Sequence, residues 1–308
     1  MDSMKSDVPK LFFPNPTQFR ESCLPQEFSF RKPIMEYIWK NPSTPKVYQK
    51  LIQCCKTFFI KNPILVIEYL EYNYDGWKYC KRKDCSKCFL QYFHGGHDME
   101  KLDTDKLLCD IWLSKKLYVT TYGNLGRIAS NVIPKISRYD VVYLVLGNEL
   151  LYFDELKFFS KGVKECSLHW NLVKYSNGEE VPLENIIRLF TNSKKVFMNF
   201  SSRSQNAACR SYDDFIDACS TIENVGFYLI PRDFDVPKFY QHLKKSKNRC
   251  SFSIFSGDYV SRLREVIDEI LQTANFEFVP PVIDYIVRDE QKLQRMRKIQ
   301  ETESSKYR

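Results

Sequence analysis

Residues 143–171 read YLVLGNELLYFDELKFFSKGVKECSLHWN. A β-like run, YLVLG, gives way to a helix-like run, FDELKFFSK, and a second β-like run, ECSLH, follows. Successive side chains on a strand point to opposite faces. Leu144 and Leu146 therefore share one face of the first run, as Cys166 and Leu168 do in the second. If those are inward, Tyr143, Val145, Ser167 and His169 point outward. Asn171 stands three residues after Leu168, where it can turn the chain; Asn148 stands only two after Leu146.

The same rhythm extends in both directions. The β-like runs KLYVTT, VVYLVLG, VKECSLHW, KVFMNF, NVGFYLI, CSFSIFS and NFEFV begin near residues 117, 141, 163, 196, 225, 250 and 275. Helix-like runs fall among them: FDELKFFSK, PLENIIRLFTN, SYDDFIDACS, VPKFYQHLKKS and VSRLREVIDEILQT. A strand-plus-helix period of about 20–29 residues is that of leucine-rich-repeat solenoids. Such units cannot bury their own apolar faces and must stack. The within-strand pattern L-x-L-x-x-N is met fully only by CSLHWN, so the repeat is degenerate. The expected fold class is α/β, with an irregular leucine-rich-repeat-like strand/helix solenoid over residues 107–286. An open α/β sheet with parallel strands is the alternative. The alternation assigns Tyr118, Tyr143, Val145, Ser167, His169, Phe197, Asn199 and Tyr228 to an outward set, with Thr120, Ser251 and Ser253 beside them. A mixed aromatic and polar face of that kind suits recognition of another protein.

The chain before the repeats divides by composition. Residues 1–22 form an irregular leader holding Pro9, Pro14 and Pro16. Residues 23–72 carry helical patterns. Pro33 suits a first helical turn, because its missing N–H would be unpaired there anyway. Asn41-Pro42 stops that helix, and Ser43 or Thr44 caps the next, with Pro45 in its first position. Val47, Tyr48, Leu51, Ile52, Cys55, Phe58 and Phe59 follow on a broad apolar face. ILVIEYLEY reads as one more short helix. Residues 73–106 are polar and dotted with cysteine, an irregular linker. The tail 287–308 is charged with little apolar face, a fraying helix or disordered segment.

Composition narrows the function. The chain has 308 residues, 44% of them hydrophobic, with 23 Phe and 19 Tyr, enough for a core. No apolar run approaches a membrane span, and residues 1–16 lack the pattern of a secretory signal. A cytoplasmic or nuclear setting is expected, where the 11 cysteines stay mostly reduced. The net charge is +8, with basic runs KRKDCSK, LKKSKNR and KLQRMRK. The 38 acidic residues mixed among them favour a solvated surface over a nucleic-acid or membrane contact. Cys80, Cys85 and Cys88, with His94 and His97 beyond them, have zinc-compatible spacing. The fingerprint lacks a second C-x2-C pair, so no metal is assigned and no cofactor is expected. The motifs of hydrolases and P-loop enzymes are missing, and YGNLGRIAS offers only a lone G-x-x-G. No catalytic residue is expected.

LPQEF, IMEYI and TPKVYQKLIQCCKTFF together resemble the F-box. The positions that match are Leu24, Pro25, Glu27, Ile34, Ile38, Val47, Leu51, Cys54, Cys55, Lys56 and Phe58. Over a wider span the chain is similar to nematode F-box-like proteins, through NPSTPKVYQKLIQCCKTFFIKNPILV, DIWLSKKLYV and LENIIRLFTN. The resemblance implies a module that docks on a Skp-type adaptor, and through it a cullin, while the domain behind recruits an unknown substrate protein. Leu24, Pro25, Ile34, Ile38, Val47, Leu51, Cys54 and Phe58 are then the adaptor-binding set. A scaffold without ligase coupling, or a basic RNA-binding protein, are the alternatives.

Overall fold

The computed structural model describes residues 17, 21, 27–80, 99–200, 209–230, 234–256, 260–285 and 289–307. Three helices lead: α1 (Lys32–Lys40), α2 (Pro45–Cys54) and α3 (Lys56–Lys61). Proline stands in the first turn of α1 and of α2. The Thr44 hydroxyl caps α2 by accepting from the Val47 amide at 3.2 Å. ILVIEYLEY, expected as a helix, is instead strand β1 (Ile64–Asn73). The expected linker holds two further strands, β2 (Gly76–Cys80) and β3 (Met99–Lys101), both antiparallel to their neighbours. Gly76, at φ 94°, supplies the left-handed turn between β1 and β2.

The remaining elements are β4 (Asp110–Thr120), α4 (Ile128–Val132), β5 (Ile136–Tyr139), β6 (Tyr143–Gly147), β7 (Leu150–Tyr152), α5 (Phe153–Phe159), β8 (Glu165–His169), β9 (Leu172–Lys174), α6 (Leu183–Arg188), β10 (Lys195–Asn199), α7 (Tyr212–Cys219), β11 (Asn224–Tyr228), α8 (Val236–Lys245), β12 (Ser251–Ser256), α9 (Val260–Gln272), β13 (Val282–Tyr285) and α10 (Glu290–Ser305). Residues 275–279 are not the last strand: Pro280 and Pro281 follow them, and β13 forms beyond. The charged tail is not frayed, because α10 buries Leu293 and Met296 in the core.

The fold is α/β, with a large and mostly parallel sheet. Its order is β13-β12-β11-β10-β8-β6-β4-β1-β2-β3, with β5 also on β4. From β4 to β13 each strand lies beside the next main strand in the chain, parallel to it and in one register. Tyr118, Val145, Ser167, Phe197, Gly226 and Ser253 form a single row across six strands. Helices alternate with those strands. Parallel crossovers are right-handed, so sequential order puts the helices on one face. Leu144, Leu146, Cys166, Leu168, Val196, Val225, Phe227, Phe252 and Ile254 bury that face against Leu156, Phe159, Ile187, Phe190, Phe215 and Phe239.

The turns that leave the strands also stack. The amides of Thr121, Asn148, Trp170 and Phe200 donate to the carbonyls of Gly147, His169, Asn199 and Tyr228. Asn148, Trp170 and Leu229, each directly after a strand, share φ values of 57°, 55° and 52°. Asn171 stitches two of these turns: its Nδ2 donates to the Leu146 carbonyl at 2.8 Å and its Oδ1 accepts from the Glu149 amide at 2.9 Å.

Candidate functional site

Two surfaces stand out. The first is the sheet face opposite the alternating helices. Pairing puts all eight outward-assigned residues there in three rows: Tyr143 in the first, Tyr118, Val145, Ser167 and Phe197 in the second, His169, Asn199 and Tyr228 in the third. Tyr143, Val145, His169, Phe197 and Asn199 are half-buried, and Tyr228 is exposed. Tyr118 and Ser167 are buried all the same. Tyr118 packs with Tyr69, Cys80, Met99 and Val145. The Phe197 ring lies over Gly226, where a Cβ would meet its Cδ1 at 2.4 Å. Burial lowers the pKa of His169, which disfavours its charged form. Asn199 Oδ1 is shielded from solvent and accepts no hydrogen bond among the described residues.

Along the carboxyl rim of that face, Tyr122, Tyr152, Trp170 and Leu229 are exposed. The strand alternation did not point to them. The signal was present, however: Trp170 and Leu229 are large apolar residues directly after a strand, where turn chemistry favours Gly or Asn. Both hold the left-handed conformation while 44% of their surface is exposed.

The second surface is on the N-terminal helices. Tyr48 and Ile52 of α2 pack inward on Trp112, Ile64 and Val66. Alternation along β4 puts Trp112 on the same face as Tyr118, so these helices dock on the side the others leave open. Trp112 is pinned there: its Nε1 donates to Asp140 Oδ2 at 2.6 Å, and Arg138 stacks on its ring at 4.6 Å. Arg138 also donates to the carbonyls of Lys40 at 2.9 Å and Pro42 at 2.5 Å, tying down the end of α1. The Tyr48 hydroxyl donates to the Asn62 carbonyl at 2.6 Å and accepts from the Ile64 amide at 3.0 Å.

The opposite face of these helices is uncovered. Val47 is 40% exposed, Leu51 half-buried and Cys54 exposed, one turn apart along α2. On α1, Ile34 is exposed and Ile38 half-buried, with Tyr37 (69%) and Phe30 exposed beside them. Phe58 does not join this surface: it is 8% exposed and packs edge-on to Phe28 at 6.0 Å. Leu24 and Pro25 lie outside the described residues.

Cys80, one of the zinc-spaced cysteines, is buried at the end of β2; Cys85, Cys88, His94 and His97 lie outside the described residues. Among the described residues no group of three or more His, Cys, Asp or Glu could hold a metal ion. The glycine pair of YGNLGRIAS does not form an open phosphate loop. Glu149 of the chain itself fills the space beside Gly126, its Oε1 2.6 Å from where a Cβ would stand. No helix of the described residues is long and apolar enough to cross a membrane.

No protein-family model matches the chain, and no curated protein or solved structure is significantly similar to it.

Proposed function

We propose that this chain is a substrate-recruiting, F-box-like adaptor of a cullin-based ubiquitin ligase, and that it works by protein–protein contact. In this reading α1 to α3 are the F-box-like module. The sheet with its alternating helices is a degenerate leucine-rich-repeat-like solenoid, a reading supported by the sequential strand order, the shared register and the recurrent left-handed turn. The observation that carries the proposal is the two-faced helix α2. It spends Tyr48 and Ile52 on its own sheet, yet leaves Val47 and Cys54 exposed and Leu51 half-buried, and α1 adds the exposed Ile34 and half-buried Ile38. An apolar surface kept open beside a firmly anchored one is the mark of a docking site. The Skp-type adaptor would occupy it, and the open sheet face would hold the substrate. Holding target lysines near a bound conjugating enzyme raises their effective concentration, so the chain itself needs no catalytic group.

The test is retention of the purified Skp-type adaptor by the full chain. A Val47→Asp/Leu51→Asp double substitution is expected to lower retention at least tenfold, with circular dichroism and melting temperature unchanged because both side chains face away from the sheet. Equal retention by the double variant, or none by the unsubstituted chain, favours the second reading, a solenoid scaffold without ligase coupling. Salt-sensitive retention of RNA would favour the third.

A further inference from the structure

Glu149 is a fully buried carboxyl, 0% exposed, in the turn between β6 and β7. Its Oε2 accepts from the Ala129 amide at 3.0 Å, at the start of the short helix α4. Among the described residues its Oε1 has no hydrogen-bond partner. The Thr121 hydroxyl nearby donates to the Asn148 carbonyl at 2.8 Å, and in that rotamer it presents lone pairs to the carboxyl. Two main-chain bonds fasten the segment 121–127 over this group: Gly126 N to Asn148 O at 2.9 Å, and Leu150 N to Gly126 O at 2.7 Å. Asn148 Nδ2 adds a bond to the Asn124 carbonyl at 3.0 Å. The charged groups beside the carboxyl are Arg127 and Glu155, and they are engaged with each other at 2.6 Å, with Arg127 also over the Tyr152 ring.

A carboxylate with a bare oxygen in such a place is costly, whereas a carboxylic acid there is a neutral donor facing an acceptor. We propose that Glu149 is carried protonated in the closed molecule and latches segment 121–127. When the proton leaves to solvent, the segment lifts, water reaches Oε1, and the rim carrying Tyr122 changes shape. Burial pushes the Glu149 pKa up to about 7, against the downward pull of the Ala129 and Ile128 amides, of Arg127 and of the Thr121 hydroxyl. The latch therefore sits within reach of physiological pH. The sign follows from linkage: the closed form binds one more proton than the open form between the free glutamate pKa and the raised one. Closure is full at the acid end of that window and is lost as pH rises through it.

Amide hydrogen exchange of Gly126, Ala129 and Leu150 in the full chain, corrected for intrinsic rates, measures the opening. Between pH 5 and 7 opening should increase by up to about tenfold per pH unit and then level off. Glu149→Gln, which keeps an acceptor for Ala129, should flatten the profile. A carbon-13 NMR titration of the Glu149 carboxyl in the unsubstituted chain gives a second readout that does not depend on the variant folding. A midpoint near that of free glutamate, about 4.3, overturns the proposal. So does a flat exchange profile, or one that persists in Glu149→Gln.

Discussion

At the residue scale, close approach decides more than chemistry does. Gly226 lies under the Phe197 ring, with no room for a methyl group. Gly226→Ala should destabilise the chain by about 1–3 kcal/mol, because the ring must leave its position. The cost should fall below about 0.5 kcal/mol in a Phe197→Ala background, since the pair then no longer collides; a double-mutant cycle by urea unfolding measures this. Asn171 answers to a different force. Its amide satisfies the Leu146 carbonyl and the Glu149 amide in a partly buried turn. Asn171→Ala should cost about 1–3 kcal/mol, because two polar main-chain groups lose their partner. Denaturation showing no change in midpoint would mean that water replaces both bonds.

At the scale of elements, α10 closes one end of the sheet. Leu293 and Met296 enter the core, Gln300 donates to the Phe252 carbonyl at 2.7 Å and the Pro280 carbonyl at 3.0 Å, and the Ser304 and Ser251 hydroxyls meet at 2.8 Å. An edge strand of a sheet exposes apolar surface and unpaired backbone groups that such a helix covers. Removing residues 289–308 should expose the β12–β13 end and cause self-association, seen as an earlier, broadened peak in size-exclusion chromatography; a sharp monomer peak would contradict this. The sequence showed this helix poorly because only two of its apolar residues are needed to seal an edge, and every other face is charged. The misreading of Ile64–Asn73 has the opposite origin. Its apolar run is nearly continuous because β1 is covered on both faces, by the N-terminal helices and by the core, so neither a period of two nor one of 3.6 is visible. Asp75-Gly76, in the stretch read as a linker, is a hairpin-turn pair that the reading did not use. The main strands β6, β8, β10, β11 and β12, by contrast, were legible, because one face is buried and the other open, whereas the three-residue strands β7 and β9 were not. That asymmetry leaves the alternation in the letters, and it is also why the outward residues could be assigned. What alternation could not reveal is which outward residues are shielded by their neighbours, as Tyr118 and Ser167 are.

At the scale of the whole molecule, the N-terminal helices are held to the sheet through a narrow junction. Arg138 grips two carbonyls of the α1–α2 connection and covers Trp112, which in turn meets Tyr48 at 6.2 Å. Arg138→Ala should therefore loosen α1 to α3 as a unit. Limited proteolysis is expected to cut within residues 41–45 at least several-fold faster, while the fragment that begins at β1 resists. The loss in stability should be about 1.5–3 kcal/mol, the range for hydrogen bonds made by a charged donor. Unchanged cleavage would place the strength of the junction in Tyr48 and Trp112 instead. In the proposed function this junction fixes the distance between adaptor and substrate, so its looseness would blur which lysines come within reach.

The common register of β8, β10, β11 and β12 has one last consequence. Each strand presents its neighbour with the same ladder of amides and carbonyls, offset by nothing. One rung could therefore be excised or duplicated, and the strands on either side would still meet in phase. The length of the open sheet face can change by whole rungs, in steps of about 4.8 Å, without redesigning the ends.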